Sequence, residues 1–202
     1  MKGPVSDYFT VFGFPRKLGV DGEALRRRFY ELSRQHHPDF HQGAGAARQA
    51  EALASSALVN RAYRALREPL ARVEYLIALE EGREVREGAP DKPKAPRELL
   101  QEMLEVQEAL EEAKAEGLGG DAASRLRAER ARLETRSGAE ADAIVARAAD
   151  WDRLVDEGGD RRPLLEWFKQ RLATRAYLRT VIDDLSDALG ERDDTHVSHR
   201  RH

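Results

Sequence analysis

An all-α chain of two small domains is predicted by three observations. Apolar residues recur at helical spacing through most of the sequence, Gly and Pro gather between those stretches, and Ala, Leu, Glu and Arg are abundant while aromatic residues make up only 6%. With 202 residues and 41% hydrophobic content there is enough for modest cores, and two small helical units fit best. The 35% charged fraction favours solvent-facing helices over a sheet, so almost no strand is expected.

The elements follow in order. Ser6 is suited to cap a short first helix through Phe12, after which Gly13, Pro15 and Gly19 break it. Leu25, Phe29 and Leu32 recur at i, i+4 and i+7, which predicts an amphipathic helix over 21–35 with Asp21 as its N-cap. Arg26, Arg27, Arg28 and Arg34 fall largely on its other faces. Pro38 removes a backbone donor and pushes His37 out of the α region, so the chain must leave the helix there and hold Asp39 on a constrained bend. Val59, Ala62, Tyr63 and Leu66 repeat the helical spacing, predicting a second helix over 47–67 that returns antiparallel to the first. Pro69 suits the first turn of a further helix, carried by Leu70, Val73, Leu76 and Ile77 to about Glu80. Residues 1–81 form the first domain.

Gly82, Gly88, Pro90, Pro93 and Pro96, interleaved with charges, mark 82–96 as a linker. Beyond it, helices are expected over 97–115, over 121–156 as one rod despite Ser137-Gly138, and over 163–189. Short loops should make them an antiparallel three-helix bundle over 97–190, with Trp151, Trp167 and Phe168 in its core. Residues 191–202 lack apolar periodicity and are expected to be a disordered tail. No sustained heptad seam is present, which favours a monomer.

Net charge of −3 and a pI near 6.1 give no general attraction to nucleic acid or anionic membrane. Local charge is uneven: four Arg against one Glu from Ala24 to His36 make +3, whereas seven Glu against one Arg and one Lys from Arg97 to Gly117 make −5. Two different partners are implied. The chain has no cysteine, which rules out disulfides, thiolate zinc sites and a cysteine-ligated cluster of its own. No apolar run is long enough to span a bilayer and no signal-peptide core opens the sequence, so a cytoplasmic protein is expected. Phosphate-loop, HExxH and ferritin-like Glu-x-x-His patterns are absent, so no enzymatic activity and no cofactor are expected. His37, Asp39 and His41 alternate as metal ligands do, yet they leave a coordination shell unfilled.

On the remaining helical patterns, Leu99, Met103, Val106 and Leu110 are spaced to face a bundle core. Leu100, Leu104, Glu108 and Glu112 step by four along an adjacent stripe. As an interface they would give an apolar anchor with an acidic rim; as structure they would be core leucines beside a solvated face. Spacing alone admits both.

The opening element Asp7-Tyr8-Phe9-Thr10-Val11-Phe12-Gly13, the basic helix, the tripeptide His37-Pro38-Asp39 between two amphipathic helices, and the second long helix together resemble the J domain of J-type co-chaperones. The block from Asn60 to Leu76, NRAYRALREPLARVEYL, is similar to the J-domain end of the co-chaperone of iron-sulfur cluster assembly, the HscB family. The resemblance covers Asp7 to about Leu189. It implies an N-terminal J domain, an antiparallel helical hairpin with the His-Pro-Asp loop, followed by a three-helix domain that holds the cluster scaffold protein. It further implies that His37, Pro38 and Asp39, with Arg26, Arg27, Arg28 and Arg34, contact a heat-shock ATPase and stimulate its hydrolysis of ATP. Leu100, Leu104, Glu105, Glu108 and Glu112, completed by Tyr177, match the scaffold-binding stripe. Phe40 departs from the pattern, since relatives commonly carry Lys or Arg there. The alternative is a J-domain adaptor with the same chaperone contact and a different client.

Overall fold

The computed structural model describes residues 7–37, 39, 45–83, 97–115, 117 and 119–191. Eight helices occur among them, and no strand.

Helix α1, Tyr8–Phe12, is capped by Asp7, whose carboxylate accepts from the backbone N–H of Phe9 at 3.0 Å. The expected cap Ser6 lies outside the described residues. Asp7 takes the position because its oxygens also receive Arg16 Nε at 2.7 Å and the Tyr75 hydroxyl at 3.4 Å, so one carboxylate satisfies the helix start and two side chains. Gly13 ends the helix with φ of 72°, a left-handed turn that only glycine adopts without strain.

Helices α2, Gly22–Gln35, and α3, Ala46–Arg67, form the antiparallel hairpin. Asp21 caps α2 by accepting from the N–H groups of Glu23 and Ala24. Leu25 is fully buried, and Phe29 stacks on Tyr63 of α3 with ring centroids 4.1 Å apart, which fixes the two helices face to face. Helix α4, Pro69–Glu80, starts with Pro69 in its first turn, where the missing N–H costs nothing. Its buried side chains Val73, Tyr75, Leu76 and Ile77 join Phe9, Phe12 and Leu66 in the first core.

The later helices are α5, Arg97–Ala115; α6, Gly120–Ala146; α7, Ala148–Glu157; and α8, Arg162–Ala188. The rod expected over 121–156 is two helices. Ser137-Gly138 sits inside continuous helix, and the break falls at Arg147, where the N–H groups of Asp150 and Trp151 start α7 on the Arg147 carbonyl. The physical reason lies ten residues from the weak point: a turn at Arg147 lets Trp151 bury completely in the first core, a gain of a few kcal/mol (~2–3) that exceeds the ~1 kcal/mol cost of one glycine in a helix.

Two compact units result, and they interleave along the chain. One comprises Met1–Ala89 with Ile144–Phe168, the other Pro90–Ala143 with Lys169–His202. Trp151 and Phe168, expected in the C-terminal bundle, are fully buried in the first unit, and Trp167 is half-buried there. The second unit packs Leu99, Met103, Val106 and Leu110 of α5 against Leu126 and Leu133 of α6 and Leu178, Val181 and Leu185 of α8. The linker from residue 84 to 96 and the tail from 192 lie outside the described residues. Glu191, placed in the tail by its sequence, instead accepts from Arg127 at 2.6 Å and from Arg130 at 2.7 Å.

Candidate functional site

Helix α2 carries the first candidate surface. Arg26, Arg27, Arg28 and Arg34 are all exposed, outside the stripe on which Leu25 is buried and Phe29 partly so. Arg26 pairs with Glu23 at 3.6 Å and Arg28 with Glu31 at 2.8 Å, whereas Arg27 and Arg34 form no ion pair with any described residue. Exposed helix pairs of this kind are worth about 0.3–0.5 kcal/mol, so they leave the guanidinium groups open to exchange partners. Tyr30 stands among them, 65% exposed; sequence periodicity gave it no role.

Past the end of α2, His37 Nδ1 accepts from the backbone N–H of Asp39 at 3.2 Å. Asp39 Oδ2 lies 3.5 Å from the same nitrogen. The Asp39 side chain is 70% exposed. His37 thus holds the backbone of the bend while the carboxylate faces solvent. Pro38, Phe40 and His41 lie outside the described residues.

The loop from Arg16 to Gly19 is held by four side chains, one from α4 and three from α7, within the same unit. The Asp152 carboxylate of α7 accepts from the N–H of Leu18 at 2.6 Å and of Gly19 at 2.7 Å. The Arg72 guanidinium donates to the Leu18 carbonyl. Trp151 Nε1 donates to the Arg16 carbonyl at 3.4 Å, and Lys17 pairs with Asp156 at 2.6 Å. Burial lowers the basicity of Arg72, partly offset by the charges of Asp152 and Glu68. A Cβ on Gly19 would stand 2.6 Å from Asp152 Oδ2, so glycine is what permits the close approach. None of this was legible in advance, because Asp152 lies 134 residues beyond Leu18 and no local pattern links them.

The second surface is on α5. Leu99 and Met103 are buried, while Leu100 and Leu104 are 51% and 56% exposed. Leu100 and Leu104 are therefore surface residues of α5 and not part of its core. Glu105, Glu108 and Glu112 are exposed beside it. Tyr177 of α8 is half-buried and packs against the same core that seats Leu99 and Met103. Glu102 of α5 accepts from Arg132 of α6 at 2.6 Å and from Arg136, tying the two helices together. Burial opposes its ionisation, but those two arginines outweigh it and hold the carboxyl below its ordinary value.

Among the described residues no cluster of His, Cys, Asp and Glu is arranged to hold a metal, and no helix is long and apolar enough to cross a membrane.

No family model matches the chain. Solved structures do, two HscB proteins among them. Chaperone HscB from Vibrio cholerae is 25% identical, with a TM-score of 0.58, over 91% of this chain and 99% of its own. Human co-chaperone protein HscB is 25% identical, with a TM-score of 0.62, over 92% of this chain and 83% of its own. These likenesses extend over both units and support assignment to the HscB co-chaperones.

Proposed function

We propose that the chain is an HscB-type co-chaperone that stimulates a specialised heat-shock ATPase and delivers to it the scaffold protein on which iron-sulfur clusters are built. The observation that carries the reading is the exposed Asp39 carboxylate on a bend whose backbone His37 secures, at the end of a helix with four exposed arginines. The arginines would draw in an acidic surface and raise the rate of encounter. Asp39 would then accept charge-assisted hydrogen bonds from an arginine of the ATPase, with Pro38 keeping the bend rigid.

On the second unit, Leu100 and Leu104 would anchor the scaffold, with Glu105, Glu108 and Glu112 as rim and Tyr177 as the aromatic neighbour. Holding both partners on one chain raises the concentration of scaffold seen by the ATPase. ATP is hydrolysed by the partner, in the cytoplasm, and the chain contributes no catalytic group.

The test is ATP turnover by the cognate chaperone with this chain and the scaffold protein added separately and together. Each alone should raise turnover and the pair should raise it more than additively. Asp39→Asn should abolish the contribution of this chain. Equal stimulation by Asp39→Asn and the parent would remove the mechanism.

A further inference from the structure

An open groove of about 660 Å³ runs between α5 and α8 in the second unit. Its floor is apolar, formed by Val106, Leu110, Val181 and Leu185, all of them also members of the bundle core. Its rim is acidic. Glu111, Asp184 and Asp187 stand there against one lysine, Lys114, for a net of −2, and that lysine is occupied by Glu111 at 2.8 Å.

Helix geometry connects this groove to the exposed leucines. Side chains rotate by about 100° per residue, so a step of four drifts about 40° and a step of seven returns to within about 20°. Glu108 and Glu112 therefore sweep away from Leu100 towards the far flank of α5. Gln107 and Glu111, seven residues beyond Leu100 and Leu104, stay in line with them and line the groove. On α8 the same holds, since Val181 and Asp184 lie four and seven residues beyond Tyr177. Both helices lead from the apolar patch into the groove, and carboxylates flank the leucines on two sides.

We propose that the α5–α8 groove extends the docking surface and receives a basic, amphipathic segment of the scaffold protein, its apolar side chains on the floor and its Lys or Arg groups between Glu111 and Asp184. The inference rests on the scaffold reading above. The acidic rim repels nucleic acid and anionic lipid, and the continuity with Leu100 and Leu104 places one partner across both surfaces.

The experiment titrates the full chain calorimetrically with the iron-sulfur scaffold protein from the same source, at low and high salt. Asp184→Lys combined with Glu111→Gln should weaken binding about tenfold at low salt, and less at high salt. Both residues are exposed, so the helical circular dichroism should be unchanged; the milder Asp184→Asn should weaken binding in the same direction. Asp142→Lys, an exposed α6 position outside the groove, alters net charge as Asp184→Lys does and should stay within about twofold of the parent. Equal losses from Asp142→Lys and Asp184→Lys would reduce the effect to long-range charge and overturn the proposal. Binding that survives the groove variants but is lost in Leu100→Ser with Leu104→Ser would overturn the groove and leave the scaffold reading standing. A parent chain that does not bind the scaffold would remove both. Altered self-association in the groove variants, with scaffold affinity kept, would assign the groove to a second copy of the chain instead.

Discussion

Asp152 on α7 grips two consecutive backbone N–H groups, those of Leu18 and Gly19, at 2.6 and 2.7 Å. A carboxylate that accepts two such bonds replaces water for both donors at once, and its loss leaves a half-buried loop unsatisfied. Asp152→Ala should therefore destabilise the chain by about 1–3 kcal/mol in urea unfolding, and Asp152→Asn by less, because the amide keeps one acceptor. Gly19→Ala should also destabilise, since the new Cβ meets Asp152 Oδ2 at 2.6 Å and the carboxylate can yield only by giving up a hydrogen bond. The two losses share one cause, so the double variant should fall short of their sum by about 0.5 kcal/mol or more; strict additivity would refute the coupling.

Tyr75 gives the first unit an alkaline limit. Burial pushes its hydroxyl up to about 12 from 10.0, against the opposing bond from the Tyr8 N–H. The folded chain therefore holds that proton where the unfolded chain has released it. Stability from this group is complete below pH 10 and declines as pH rises towards about 12. Tyr75→Phe should cost about 1–2 kcal/mol at neutral pH, because it removes the acceptor for Tyr8 N–H and the donor to Asp7. In the same variant this alkaline component should vanish. Unfolding midpoints measured from neutral pH to pH 12 in both proteins decide it.

Glu102 sets a limit on the acid side in the second unit. Its carboxyl titrates below the ordinary 4.5, since the hydrogen bonds from Arg136 and Arg132 overcome the effect of burial. A depressed acid stabilises the fold above its unfolded value and loses that contribution as pH drops through its folded value. The difference in stability between the parent and Glu102→Gln, about 1–2 kcal/mol at neutral pH, should thus shrink as pH falls below 4.5. A difference that stays constant down to pH 2 would show that the arginines do not hold the charged form.

The α5 register can be read by a pair of neighbouring substitutions. Leu99 is buried and Leu100 is 51% exposed. Leu99→Ala should cost about 2–4 kcal/mol through the cavity it leaves. Leu100→Ser should change stability by no more than about 0.5–1 kcal/mol, as expected for an exposed site. Comparable losses in thermal unfolding would mean that α5 is rotated from the register described. With the register in place, Leu100→Ser together with Leu104→Ser should lower affinity for the scaffold protein while leaving the melting temperature nearly unchanged.

Much of this architecture was legible in the residues because its causes are local. Asp21 as cap, Pro69 at a first turn, and the spacing of Leu99, Met103, Val106 and Leu110 each act within one or two helical turns. So does the +3 charge of the stretch around α2, which needs only sequence to count. The choice between core and surface for Leu100 and Leu104 was not local. Both readings satisfy the same spacing, and only the packing of α6 and α8 against one side of α5 leaves the leucines outside.

By itself, then, the sequence determined most of the helices, the bend that carries Asp39 and the resemblance to a co-chaperone family. The tertiary structure decided which helices share a core. A chain read in order divides at its linker, but Trp151 and Phe168 are large apolar side chains whose burial is worth more wherever a core can enclose them. They joined the first unit through a turn at Arg147, bringing Asp152 to a loop 134 residues earlier. Contacts at that separation depend on packing in three dimensions, which no periodicity along the chain records.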